Sequence, residues 1–234
     1  MTWQSRRFPL DIYAGMSNLP SSMRDADAEG FVSKTNIERI TNGIFAFTMT
    51  LLARNILLPP EKEIQGGEFL VVLFERIGID VIGFVIAFLV LAMLWFFIYQ
   101  IYRNITSVDR PFCYVLMVFL MTLVSVPFAS QIDNTYANPA AAAIFQADMF
   151  LLGVLCIVLW VYATRSPLAN PGITTRRIAF QALKYAVIPV LSVIALYESF
   201  SGSLMGDTVF LAAPFIYLIF FREKVWGLDR AQKT

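Results

Sequence analysis

Apolar residues dominate six stretches of the chain, at about residues 40–58, 79–101, 112–131, 141–163, 180–198 and 204–221. Each is close to the roughly 20 residues a helix needs to cross a hydrocarbon core of about 30 Å. The pieces between them, "PPEKEIQGGE", "RNITSVDRP", "QIDNTYANPA", "RSPLANPGITTRR" and "ESFSGSLMGD", carry the Pro, Gly, Asn and charged residues that interrupt helices. The pattern predicts an all-α integral membrane protein with six transmembrane helices. The fifth stretch contains Lys184 and Pro189. Lys184 stands near its start, where an ammonium can snorkel to the interface, so six spans are preferred to five.

The first stretch differs from the others. It carries Thr41, Thr48 and Thr50, flanking Asn42 and Asn55, and Arg54. At spacings of three and four, Gly43, Phe47, Thr50 or Leu51, Arg54 and Leu58 share one stripe of a helix. A polar or charged group facing lipid is costly, so this stripe is expected to face protein or water. Two readings follow from spacing alone: close packing against another helix, or the wall of a pore or cavity.

Composition and charge place this pattern in a membrane. Of 234 residues 58% are hydrophobic and 15% charged, with 21 phenylalanines, more than one soluble core of this size uses. Fifteen of the 18 lysines and arginines fall on one side of the six spans, so both termini are expected in the cytoplasm. The net charge of +1 gives no nucleic-acid signature. With no histidine, and with Cys113 and Cys156 inside apolar runs, no zinc site, cofactor site or histidine-based catalysis is expected. Asp148 is a lone carboxylate in the fourth span, and a lone carboxylate does not make an active site. An enzyme is therefore not expected.

Trp95, Tyr99, Trp160, Tyr162 and Trp226 fall where aromatic rings anchor at headgroups. Pro127, Pro189 and Pro214 are expected to bend their spans. The first 35 residues contain no apolar stretch of signal-peptide length. The organisation is thus a polar cytoplasmic segment 1–35, a membrane domain 36–225 and a cytoplasmic tail 226–234.

The segment "NIERITNGIFAFTMTLLARNILLP" resembles the first helix of the transmembrane protein 175 family, potassium channels of lysosomes and bacteria. The family signature is a basic residue, three others, then Phe-Ser-Asp, followed by Gly-Val-Phe-Ala and, eight residues after the aspartate, a threonine. Here Ile40, Thr41 and Asn42 occupy the Phe-Ser-Asp places, Gly43, Ile44, Phe45 and Ala46 follow, and Thr50 holds the threonine place. "LAMLWFFIYQIYRNI", "VDRPFCYVLMVFLMTLVSVPFAS" and "AAAAIFQADMFLLGVLCIVLWVYATR" resemble the second to fourth helices, and the likeness extends over about residues 36–225.

The resemblance implies a homotetramer in the plasma membrane, the inner membrane for a bacterial single-repeat member, with a pore lined by the first helix and potassium as the permeant ion. It implies a hydrophobic constriction at Phe47 with a ring of Thr50 hydroxyls beside it, in place of a selectivity loop. The sequence departs from the family at Asn36, where a basic residue stands, at Asn42, where the aspartate stands, and at Arg54, a cation on the pore stripe. Lys34 and Arg39 are candidate substitutes at the cytoplasmic end. Asp148 lies at a depth comparable to Arg54, so an intramembrane ion pair is one expectation, and Arg54 reaching outward to Glu61 or Glu63 is the other. An anion-permeable or non-conducting member, with arginines ringing the outer mouth, is the alternative within the same fold. A membrane scaffold whose segment 1–35 binds an unknown cytoplasmic partner is the alternative outside it.

Overall fold

The computed structural model describes residues 33–57, 69–136, 138–170, 173–202 and 206–220. Among them the regular structure is six α-helices: α1 Lys34–Leu52, α2 Phe69–Arg103, α3 Arg110–Thr135, α4 Pro139–Arg165, α5 Thr175–Phe200 and α6 Ala212–Phe220. A 3-10 turn, Ala53–Asn55, continues α1, and a longer one, Gly206–Leu211, leads into α6. Most of the expected terminal segments and Leu58 lie outside the described residues.

The helix starts follow from local chemistry. Asp109 caps α3, its carboxylate accepting the Phe112 backbone N–H at 3.0 Å, with Pro111 in the first turn. Asn138 caps α4 in the same way through the Ala140 N–H at 2.9 Å, and Pro139 occupies the first helical position. Proline fits there because the N–H it lacks has no intrahelical partner at a helix start. Pro214 falls in the first turn of α6 and therefore opens that helix instead of bending it.

Four helices are long and apolar enough to cross a membrane: α2 over Asp80–Arg103, α3, α4 and α5. The helix containing the second span begins ten residues earlier than expected, because Glu75 and Arg76 mark the limit of the apolar run without breaking the helix. Two of the six expected spans do not qualify among the described residues. The first turns of α1 carry Lys34, Glu38 and Arg39, and α6 is a nine-residue helix behind a 3-10 turn.

The core forms along α4, which packs against α3 on one side and α5 on the other. Gly153 makes the second contact possible. A Cβ at that position would stand 2.3 Å from Cδ of Pro189, so the proline ring of α5 rests directly on the backbone of α4. Trp160 was expected at the headgroups; it is instead fully buried and donates its indole N–H to the Ile178 carbonyl at 3.0 Å. Lys184 also turns inward. It is 5% exposed, with Nζ 4.6 Å from the centre of the Phe180 ring, where the ring face attracts a cation.

At one end of the bundle the α2–α3 and α4–α5 connections pair through a short antiparallel bridge between Ile105 and Ala169. The Thr106 N–H donates to the Leu168 carbonyl at 2.8 Å and the Asn170 N–H to that of Asn104 at 2.9 Å. The foot of α1 joins this bridge, since Lys34 Nζ donates to the Ile105 carbonyl at 2.8 Å and stands 3.6 Å from Glu38.

Candidate functional site

The two faces of α1 have different fates. Ile37, Thr41, Phe45, Thr48 and Leu52 recur every three or four residues and are buried, with Asn55 continuing the same line. This face packs on α2 and α3, where the Phe45 and Phe119 rings lie 6.0 Å apart. The opposite face carries Gly43, Phe47, Thr50 and Arg54, all exposed in the protomer, with Phe47 59% exposed. A Cβ at Gly43 would meet nothing within 4 Å, so intramolecular packing does not require this glycine. The stripe is thus not packed against the other described residues.

Thr50 donates its hydroxyl to the Phe47 carbonyl of its own helix at 2.7 Å. The donor is thus used internally, while the oxygen's lone pairs stay available as acceptors.

Four polar contacts to α2 and α3 hold α1 and its 3-10 extension in place. The buried Thr41 hydroxyl donates to the Ile37 carbonyl at 2.8 Å and lies 2.9 Å from the Tyr102 hydroxyl of α2, which donates to it. Asn42 accepts the Trp95 indole N–H at 2.9 Å, and the Trp95 ring stacks on Tyr99, with centres 5.9 Å apart. At the far end Asn55 donates to the Pro127 carbonyl of α3 at 2.8 Å, and the Leu57 backbone N–H donates to Asp80 at 3.2 Å.

The three signature positions therefore divide their work. Thr41 and Asn42 bond α2, whereas the Ile40 side chain is 50% exposed. Of the two substitute cations, Lys34 is used at the Ile105 carbonyl and Arg39 is exposed.

Arg54 and Asp148 are level with one another but are not joined within the protomer. Asn55 reaches Pro127, and Ser125, two residues earlier on α3, donates its hydroxyl to Asp148 at 2.9 Å. Two residues of helix rise are about 3 Å, so the comparable depth holds. Yet α1 packs on α3 and α2, while α4 packs on α3 and α5, which leaves α3 between the two charges. Among the described residues the ion pair formed is Lys34–Glu38, and neither Arg54 nor Asp148 has an oppositely charged partner. Glu61, Glu63 and Leu58 lie outside the described residues.

Sequence reasoning missed Trp95, Tyr102 and Asn55 as partners that fix this helix. Trp95 and Asn55 were visible as hydrogen-bonding groups in apolar runs, a signal that each needs a partner at depth.

The site is one exposed stripe on a helix whose other face is fixed by apolar packing and four polar contacts, within an all-helical, multi-pass membrane protein. Residues 36–127, which include the whole stripe, match the family described as the endosomal/lysosomal potassium channel TMEM175. A potassium channel of Streptomyces collinus is 26% identical over 138 residues, 56% of this chain and 64% of that relative; the match thus spans less than two thirds of its length. The fold is shared with the crystal structure of a lysosomal potassium-selective channel TMEM175 homolog from Chamaesiphon minutus. The TM-score is 0.67 at 21% identity, over 79% of this chain and 96% of that one. Residues 36–127 are thus similar to the TMEM175 family, and the two relatives named are described as potassium channels.

Proposed function

We propose that the chain is one subunit of a homotetrameric potassium channel whose pore is lined by α1. The observation that carries this reading is the exposed Gly43–Phe47–Thr50–Arg54 stripe on a helix whose opposite face is consumed by packing. Four copies arranged about an axis would cover that stripe and enclose a lumen. A ring of Phe47 side chains excludes water from the narrowest point when closed, and Thr50 oxygens with a free lone pair replace part of an ion's hydration shell beside it. In this reading six spans cross the membrane and both termini are cytoplasmic. The Lys34–Ile105 end then faces the cytoplasm and the Asn55 end faces outward.

The test is current through purified protein in planar bilayers under a potassium chloride gradient, with Phe47→Ala beside the wild type. A reversal potential near that of potassium, and a current several-fold larger in Phe47→Ala, are expected. Currents unaffected by Phe47→Ala would remove the constriction from this position. A second reading is favoured by Arg54, which is exposed on the same stripe without a carboxylate partner among the described residues. If its charge stands free in the lumen, the pore either passes anions, with the reversal potential moved toward that of chloride, or stays closed, with no current.

A further inference from the structure

We propose that Arg54 of each subunit forms an ion pair with Asp148 of the neighbouring subunit, so that the site is completed only by a second copy of the chain. The inference rests on the tetrameric reading above.

Arg54 lies one turn from Leu57, which bonds Asp80 at the start of the apolar stretch of α2. Asn55, the next residue, is held to Pro127 within α3. Both contacts put the backbone at Arg54 level with the outer part of the apolar bundle. Asp148 stands in the apolar run of α4, half-buried, with Ser125 as its hydrogen-bond donor among the described residues. An unpaired charge at such a depth is costly, and a pair held by further hydrogen bonds is favoured over either charge alone.

Among the described residues each chain therefore presents Arg54, exposed and without a carboxylate partner, and Asp148, half-buried and without a cationic partner, on segments that both pack against α3. That is the arrangement a head-to-tail interface requires. A rotation that leaves Gly43, Phe47 and Thr50 toward the axis and brings the Arg54 side chain of one copy to Asp148 of the next satisfies both charges and, repeated, closes a ring. Pairing would also remove the positive ring from the pore mouth, which reconciles Arg54 with cation passage.

The test uses two full-length chains carrying different tags, Arg54→Glu in one and Asp148→Arg in the other. Expressed alone, each places like charges at every interface. Expressed together and alternating round the ring, they restore opposite charges at every interface, which a pair within one chain cannot do. Light scattering in detergent is expected to show wild-type tetramers, loss of assembly for each variant alone, and tetramers of equal stoichiometry, retained on either tag, for the two together. Full assembly of each variant alone overturns the proposal, as does failure of the two together while the wild type is tetrameric. A monomeric wild type would instead remove the tetramer itself.

Because reversals can prevent folding, Arg54→Gln and Asp148→Asn provide the second measurement. Each is expected to weaken assembly about tenfold, and their combination no further than either alone. Losses that multiply in the double variant would show that the two side chains act separately.

Discussion

Asn55 and Pro127 join the end of the first helix to the third by a single 2.8 Å hydrogen bond, side-chain amide to backbone carbonyl. Asn55 is 6% exposed, so no water competes at this point. Truncation leaves the carbonyl without this donor and opens a small void. Asn55→Ala is expected to cost about 1–3 kcal/mol and to lower the unfolding temperature of the detergent-solubilised protein. An unchanged melting curve would show that the contact carries no stability.

The Thr41–Tyr102 pair offers a sharper measurement, because either hydroxyl can be removed with little change of shape. Thr41→Val orphans the buried Tyr102 hydroxyl, and Tyr102→Phe removes one bond from Thr41, which keeps its bond to Ile37. Thr41→Val is therefore expected to be the more destabilising, by about 1–3 kcal/mol, and the double variant less so than the sum of the singles. Urea or thermal unfolding of the four proteins in one detergent measures that coupling.

Asn42 accepts a hydrogen bond from Trp95 where the family signature carries an aspartate. A carboxylate accepts more strongly than an amide, so Asn42→Asp is expected to strengthen the α1–α2 contact and raise the unfolding temperature. In Asn42→Asp/Trp95→Phe that gain is expected to vanish. If Asn42→Asp stabilises equally without the indole, the bond is not its cause.

At Gly153 the prediction is steric. Any side chain there meets the Pro189 ring, so Gly153→Val must push α4 and α5 apart along the main seam of the bundle. A loss of about 1–3 kcal/mol or more is expected, seen as reduced yield of monodisperse protein. Pro189→Ala frees space at the same contact and is expected to recover part of that loss.

Much of this fold was legible in the chain because a bilayer restricts the options: backbone groups must be satisfied within each span, and apolar runs then mark the helices. The stripe of Gly43, Phe47, Thr50 and Arg54 was legible for a related reason, since helix periodicity alone puts these residues on one face. What that face meets was not legible, because packing and pore lining both tolerate glycine and threonine.

Trp160 and Lys184 were misplaced for a physical reason. Position near the end of an apolar run suggests an interface, but the Ile178 carbonyl and the Phe180 ring offer partners inside the bundle that only the tertiary arrangement brings within reach. The Arg54–Asp148 pair was expected from depth, which counts residues from the helix ends, and it is not formed within one chain. Nothing in a single sequence orders helices around a bundle.

The bonds from Lys34 to the Ile105 carbonyl and from Asn55 to the Pro127 carbonyl pin the first helix at both extremities, each to a main-chain acceptor that exists whatever side chain occupies position 105 or 127. A piston stroke of one residue, about 1.5 Å, would stretch both pins at once, and bowing of the segment between them would strain the Thr41–Tyr102 and Asn42–Trp95 bonds. The helix is thus held at its ends and near its middle, which leaves the exposed side chains of its stripe, Phe47 among them, freer to move than its backbone.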